Sequence, residues 1–229
     1  MDLYTHRGLF DNKTIFENTI PAFSKSIEHG FGIELDVRMT KDNVLVVFHD
    51  DNCKRMFDEW FKIKDLTYPA LLKYDLNGSH IPTLSDTLEF IDGRVPIIVE
   101  VKEGHDRNLI ALKVAEMLDG YDGEFMVESF DPLIVRWFKK HRPQFVRGQL
   151  VMPMKKYDNG LIGFIMRFRL THFLTKPDFY AYEYSLGTNK ISRFFLKKFA
   201  PKICVWTVKS GREYYFDPDF IIFEDSSLI

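Results

Sequence analysis

The chain has 229 residues, 45% apolar and 28% charged, a globular balance that supports a sizeable core and fits one barrel-sized domain or two small ones. Its net charge of −2 argues against broad electrostatic attraction to nucleic acid or to an anionic membrane, so any phosphate recognition must come from a few placed cations. Cys53 and Cys204 lie far apart outside any CxxC pattern, which indicates neither a disulfide framework nor a zinc site and is read as two reduced thiols.

Short apolar runs alternate with amphipathic stretches along the chain. The first strand is expected at Leu3–His6, which leaves no room for a signal peptide and implies a cytoplasmic protein. Thr19–His29 follows with a helix pattern: Asn18 or Thr19 can cap it, Pro21 sits in its first turn and Gly30 ends it. Strands are then expected at Gly32–Val37 and Val44–His49. The four residues between them, Thr40-Lys41-Asp42-Asn43, have turn chemistry and are too short for a crossover helix, so a hairpin with an extra antiparallel arm is favoured. Residues 50–84 hold no convincing strand and read as a small insertion that returns through Ile81-Pro82-Thr83-Leu84 into a helix at Ser85–Ile91. Further strands are expected at Pro96–Lys102, Phe125–Phe130, Phe145–Val151, Phe179–Tyr184, Ile203–Val208 and Phe220–Phe223, with helices at Asn108–Leu118, Pro132–His141 and Lys190–Phe199. At this length, such alternation points to one α/β domain over 1–229, a (β/α)₈ TIM barrel with a short insertion after the His49 strand. The 22 phenylalanines are read as core filling.

Charged residues inside apolar strands are the informative feature. In Ile33-Glu34-Leu35-Asp36-Val37 the carboxylates are two apart, so in a strand both point to one side. Glu100 and Lys102 repeat that spacing on another strand. Unpartnered burial would cost several kcal/mol per group. A divalent cation is one compensation, and all-oxygen ligands suit Mg²⁺, Ca²⁺ or Mn²⁺ rather than zinc. The other is an ion-pair network, with Lys102 neutralising one acid and Arg38 another. His6 and His49 each close an apolar strand, and an ordinary imidazole pKa near 6.5 lets one ring accept a proton while the other donates one. Arg7 and Lys102 complete the set as cations able to stabilise the charge that grows on a phosphodiester during cleavage. His29, His80, His105, His141 and His172 fall in helices or loops and carry no assignment.

The order His6-Arg7-Gly8, Glu17-Asn18-Thr19, Glu34-Leu35-Asp36-Val37, His49-Asp50, Ile81-Pro82-Thr83-Leu84, Glu100-Val101-Lys102, Ser129-Phe130-Asp131 and Val205-Trp206-Thr207-Val208 resembles the glycerophosphodiester phosphodiesterases, from residue 3 to about 208. The resemblance implies the barrel shared with phosphatidylinositol-specific phospholipase C. It also implies Glu34, Asp36 and Glu100 as ligands of one divalent cation, His6 and His49 as the acid/base pair, and Arg7 and Lys102 as phosphate contacts. Phe130 and Trp206 would line the substrate pocket. The implied reaction is attack of the free glycerol 2-hydroxyl on phosphorus and opening of the cyclic phosphate by water, releasing sn-glycerol 3-phosphate and an alcohol. Two stretches depart from the family's habit: Lys54-Arg55-Met56-Phe57 stands for an Arg-Thr-Thr-Gly-like run, and 219–225 for Asp-Gly-Ile-Ile-Thr-Asp. Glu17 and Asn18 match, but yield no direct role.

Two other functions fit parts of the sequence. Gly160–Phe173 is apolar, carries Arg167 and Arg169, and would suit a membrane surface and a lysophospholipase D-like activity. The plainer reading, a loop helix over the barrel, is preferred. A non-catalytic phosphate-binding barrel is disfavoured, because all seven proposed metal, proton-transfer and phosphate positions hold competent side chains.

Overall fold

The computed structural model describes residues 1–104, 106–157, 159–188, 190–198 and 200–224, so His105 and Asp225 lie outside the described residues. The chain runs through β1 (Asp2–His6), α1 (Ile20–Glu28), β2 (Gly32–Met39), β3 (Leu45–Val47), α2 (Lys54–Phe57), α3 (Tyr68–Leu71), α4 (Leu84–Ile91), β4 (Ile97–Val101) and α5 (Arg107–Asp119). It continues through β5 (Phe125–Ser129), α6 (Pro132–His141), β6 (Arg147–Val151), α7 (Gly160–Arg167), α8 (His172–Thr175), β7 (Phe179–Glu183), α9 (Lys190–Lys198), β8 (Ile203–Val208) and β9 (Phe220–Phe223). Short 3₁₀ turns fall at Ile63–Asp65 and Met154–Lys156. This is a (β/α)₈ barrel in which β3 is a ninth, antiparallel strand. The chain divides into two compact units, 5–125 and 126–229 with 1–4.

In the unit 5–125, β2 runs parallel to β4 with Asp36 opposite Glu100. Every residue of β4 is buried, and so is every residue of β2 except Arg38, as expected of parallel strands covered on both faces. The expected hairpin is present: β3 pairs antiparallel to β2, with Val37 opposite Val47. It is shorter than expected, because the Val47 N–H already donates to Pro82 O at 2.9 Å, and His49 therefore lies in a bend beyond the strand. The insertion contains no strand. It closes on a small apolar core of Cys53, Ile63, Leu71 and Ile81 beside Val46 and Phe48 of the hairpin arm. It returns into α4, where the Asp86 N–H donates to the Thr83 hydroxyl at 3.0 Å.

α1 departs from expectation at its start. Thr19 is the N-cap residue but makes no side-chain cap; its hydroxyl donates to Phe16 O at 2.6 Å, and Asn18 reaches Asp36 instead. α9 ends at Lys198, and Phe199 lies outside the described residues.

The other unit stacks β5, β6, β7, β8 and β9 in parallel order. Phe179, Tyr180 and Tyr182 of β7 are fully buried. Gly148 on β6 is required there, because a Cβ would lie 2.2 Å from the Phe179 ring. Asp131 caps α6 by accepting from the Leu133 N–H at 2.8 Å, which explains its place in Ser129-Phe130-Asp131 without any chemistry. Core filling accounts for only part of the phenylalanine content, since Phe164, Phe168, Phe173 and Phe194 are exposed. Among the described residues no helix is long and apolar enough to cross a membrane.

Candidate active site

Seven of the nine residues singled out in the sequence (His6, Arg7, Glu34, Asp36, His49, Glu100 and Lys102) belong to the unit 5–125. Phe130 and Trp206 belong to the other unit, where their rings meet edge to face at 5.5 Å and the Trp206 indole donates to Ala181 O at 2.9 Å.

The His6-Arg7-Gly8 stretch is shaped by backbone geometry. Arg7 has φ 62° and Gly8 φ 83°, both left-handed, and a Cβ on Gly8 would come within 2.7 Å of Ala22 Cβ. The tight turn brings the Arg7 N–H to the Glu34 carbonyl at 2.9 Å and to its carboxylate at 3.1 Å. The Asn18 N–H donates to Arg7 O at 2.9 Å, tying the second family stretch to the first.

Around this turn the charges converge. Glu34, Asp36 and Glu100 are buried, and each offers a carboxylate oxygen within 4.8 Å of the others. The Lys102 ammonium lies 2.7 Å from both Asp36 and Glu100. Arg7 lies 3.3 Å from Asp36 and 2.7 Å from Glu17, and the Asn18 amide donates to Asp36 at 2.8 Å. Among the described residues Arg38 donates to no carboxylate. It donates to His49 O at 2.8 Å and so holds that residue's main chain.

His49 is positioned through its side chain as well. Its Nδ1 is 2.6 Å from Asp50 Oδ1, and Asp50 Oδ2 accepts from Arg55 Nε at 2.7 Å. With Nδ1–H held by a carboxylate, the neutral ring presents its lone pair at Nε2. Arg55 also grips both oxygens of Glu17, at 2.8 and 2.7 Å. One chain of contacts thus runs from Arg7 through Glu17, Arg55 and Asp50 to His49. Sequence reasoning missed this chain, although Glu17 stood in a family stretch and Arg55 in a stretch noted only for its departure.

The electrostatics follow from burial and pairing. Burial acts to raise the Asp36 carboxyl, but Lys102, His49, Arg7 and His6 outweigh it and hold Asp36 well below the usual carboxylate range. Burial and the Asp36 charge raise Glu100, against the opposing pull of Lys102. Glu17 is held down to about 2, because Arg55, Arg7 and Asn12 outweigh its burial. Lys102 and Arg7 are both raised: the neighbouring carboxylates overcome the desolvation that would lower them.

The donor set fits a hard cation. Oxygen ligands sit about 2.0–2.6 Å from Mg²⁺ or Ca²⁺, so ligand atoms sharing an ion are at most about 5 Å apart. The three buried carboxylates meet that limit, and no thiol or imidazole is among them. Fold and site together define a barrel enzyme with an acidic centre suited to a divalent cation.

Comparison with known proteins narrows the class. The model of the glycerophosphoryl diester phosphodiesterase family matches residues 6–216. A glycerophosphodiester phosphodiesterase of Caldanaerobacter subterraneus subsp. tengcongensis is 32% identical over 174 residues, covering 69% of this chain and 67% of that protein. The crystal structure of a glycerophosphodiester phosphodiesterase from Thermotoga maritima superposes with a TM-score of 0.71 at 27% identity, covering 96% of this chain and 93% of that one. A phosphodiesterase from Oleispira antarctica, solved in complex with the product sn-glycerol-3-phosphate, shares the fold with a TM-score of 0.77 at 19% identity, covering 97% of this chain and 92% of that one. The chain belongs to the glycerophosphoryl diester phosphodiesterase family and is a phosphoric diester hydrolase.

Proposed function

We propose that the protein hydrolyses glycerophosphodiesters to sn-glycerol 3-phosphate and an alcohol. Glu34, Asp36 and Glu100 would hold one divalent cation, Mg²⁺, Ca²⁺ or Mn²⁺; their convergence within one unit is the observation that carries the reading. When bound, such an ion polarises a phosphoryl oxygen and offsets the charge that grows on phosphorus. His6 and His49 share the proton work: one ring takes the proton of the attacking hydroxyl while the other gives a proton to the leaving alcohol. Asp50 supports that role for His49 by fixing its Nδ1. Arg7 has guanidinium N–H groups beyond those directed at Glu17 and Asp36, and Lys102 has a third N–H beyond the two aimed at Asp36 and Glu100, so both can address phosphate. Phe130 and Trp206 supply an aromatic pair for the glycerol or alcohol side of the substrate. Cys53 and Cys204 are buried and not joined in a disulfide, which suits a reducing cytoplasm, and burial pushes the Cys53 thiol up to about 12.

The test is turnover of the purified protein on a panel of glycerophosphodiesters with Mg²⁺, Ca²⁺ and Mn²⁺ varied. A chelator should abolish release of glycerol 3-phosphate from glycerophosphocholine, and one of the cations should restore it. His6→Ala and His49→Ala should each lower kcat by roughly 10²–10⁴-fold with little change in Tm. Substantial turnover by both variants would sink the acid/base assignment, and turnover indifferent to chelator would sink the cation site.

A further inference from the structure

In the unit 126–229, the connection from β6 to β7 leaves a run of large apolar side chains in solvent. Leu161 is 67% exposed, Ile162 51%, Phe164 45%, Phe168 50%, Leu170 58% and Phe173 75%. The Phe164 and Phe168 rings lie 4.6 Å apart, so part of the exposed surface is continuous. This is not a helix that failed to pack. α7 is seated through its opposite face: Met166 is buried, and Gly163 approaches the Met154–Lys156 turn so closely that a Cβ would meet Met154 O at 3.0 Å. Arg169, which only the membrane-surface reading of the sequence put at a surface, turns inward. It is 4% exposed, donates to the Tyr182 hydroxyl at 3.1 Å and lies over the Tyr180 ring, fastening the connection to β7. The apolar face is therefore held outward by a well-anchored inner face.

Cations surround it. Between Pro153 and Lys202 ten lysines and arginines stand against three acidic residues, in a chain whose net charge is −2. Lys155 and Lys156 are exposed on the turn that seats α7, and Lys176 is exposed just after α8. The Lys139 ammonium donates to Phe173 O at 3.2 Å and Leu174 O at 2.8 Å, which places a positive charge beside the most exposed phenylalanine of the run. Partial desolvation together with Lys176, Arg147 and Arg136 lowers the Lys139 pKa, a mark of how densely cations gather there.

We propose that α7, α8 and the Met154–Lys156 turn form a docking surface for an anionic lipid bilayer. The apolar side chains would enter the interfacial region while the flanking lysines meet anionic headgroups, the two attractions that together hold a peripheral protein on a membrane. Docking of a second copy is disfavoured by the same charges, since a two-fold contact would bring each basic flank against its counterpart. Near-neutral net charge conceals this region, because the acids that balance it lie elsewhere in the chain.

Sedimentation of the full chain with vesicles of phosphatidylcholine alone, and of phosphatidylcholine with phosphatidylglycerol in about equal parts, tests this without any turnover measurement. Its failure is thus separable from failure of the proposed reaction. The protein should pellet with the anionic vesicles, less so as salt rises, and stay in solution with phosphatidylcholine alone. Lys155→Gln and Lys176→Gln should each weaken binding about fivefold. The double variant Phe168→Ser, Phe173→Ser should abolish pelleting while its circular dichroism and Tm match the parent. Absence of pelleting with anionic vesicles at low salt overturns the proposal, as does undiminished pelleting of the double variant. A dimer in light scattering that the double variant converts to monomer assigns the face to a second copy and overturns it equally.

Discussion

Both units bury polar groups, but three buried carboxylates gather at one point in the unit 5–125. In the unit 126–229, Gln149 donates to Ser129 O at 2.9 Å and Phe130 O at 3.2 Å, Asp131 caps α6, and Arg169 meets a tyrosine hydroxyl. These groups satisfy main chain or neutral side chains, and they hold loops in place. In the unit 5–125, by contrast, three buried carboxylates face one another within 4.8 Å, and the Lys102 ammonium contacts two of them, Asp36 and Glu100. Like charges at that separation oppose folding, so the arrangement is understandable only if something beyond stability is gained. A buried polar residue answered by backbone holds the fold; buried acids that crowd one another at a cost to stability are where the proposed cation would sit.

Substitutions in the two regions should break or sharpen that contrast. The largest effect is expected at Asp36: Asp36→Ala removes one of the two carboxylate partners of both Lys102 and Arg7, and should cost about 3–5 kcal/mol in urea denaturation as well as turnover. If it costs no more than Gln149→Ala, for which about 1–3 kcal/mol is expected from lost buried hydrogen bonds, the contrast fails.

Acid should reach the unit 5–125 through Glu17. Its folded pKa of about 2 lies below the ordinary 4.5, so its contribution of about 3 kcal/mol is fully present above about pH 4.5 and disappears as pH falls toward 2. Asp36 acts in the same direction. Stability measured against pH should therefore fall through this window, and Glu17→Gln should flatten the fall.

Smaller still is Arg55→Ala, where partial exposure limits the loss to about 1–2 kcal/mol. Arg55→Lys should not restore it, because an ammonium cannot grip both Glu17 oxygens and Asp50 at once. Such a variant should lower kcat more than it raises KM if the contact chain to His49 matters for orientation. Phe173→Ser should shift stability by no more than about 0.5 kcal/mol, as expected of an exposed side chain outside the packed core.

Much of this protein was legible along the chain. Period-two spacing placed Glu34 and Asp36 on one side of a strand, alternating apolar runs located the strands to within a few residues, and the four-residue turn before Val44 announced the hairpin. Those features are local, and local sterics and spacing are what a sequence writes directly. Other properties were decided only in three dimensions. Asn18 caps no helix and reaches Asp36, Arg169 turns inward to Tyr182, and Arg55 holds Asp50 while reaching back 38 positions to Glu17. A long polar side chain can point several ways, and only the packing around it selects the partner. The convergence of Asp36 with Glu100, distant in sequence but opposite in register, rests on strand pairing that no single stretch encodes.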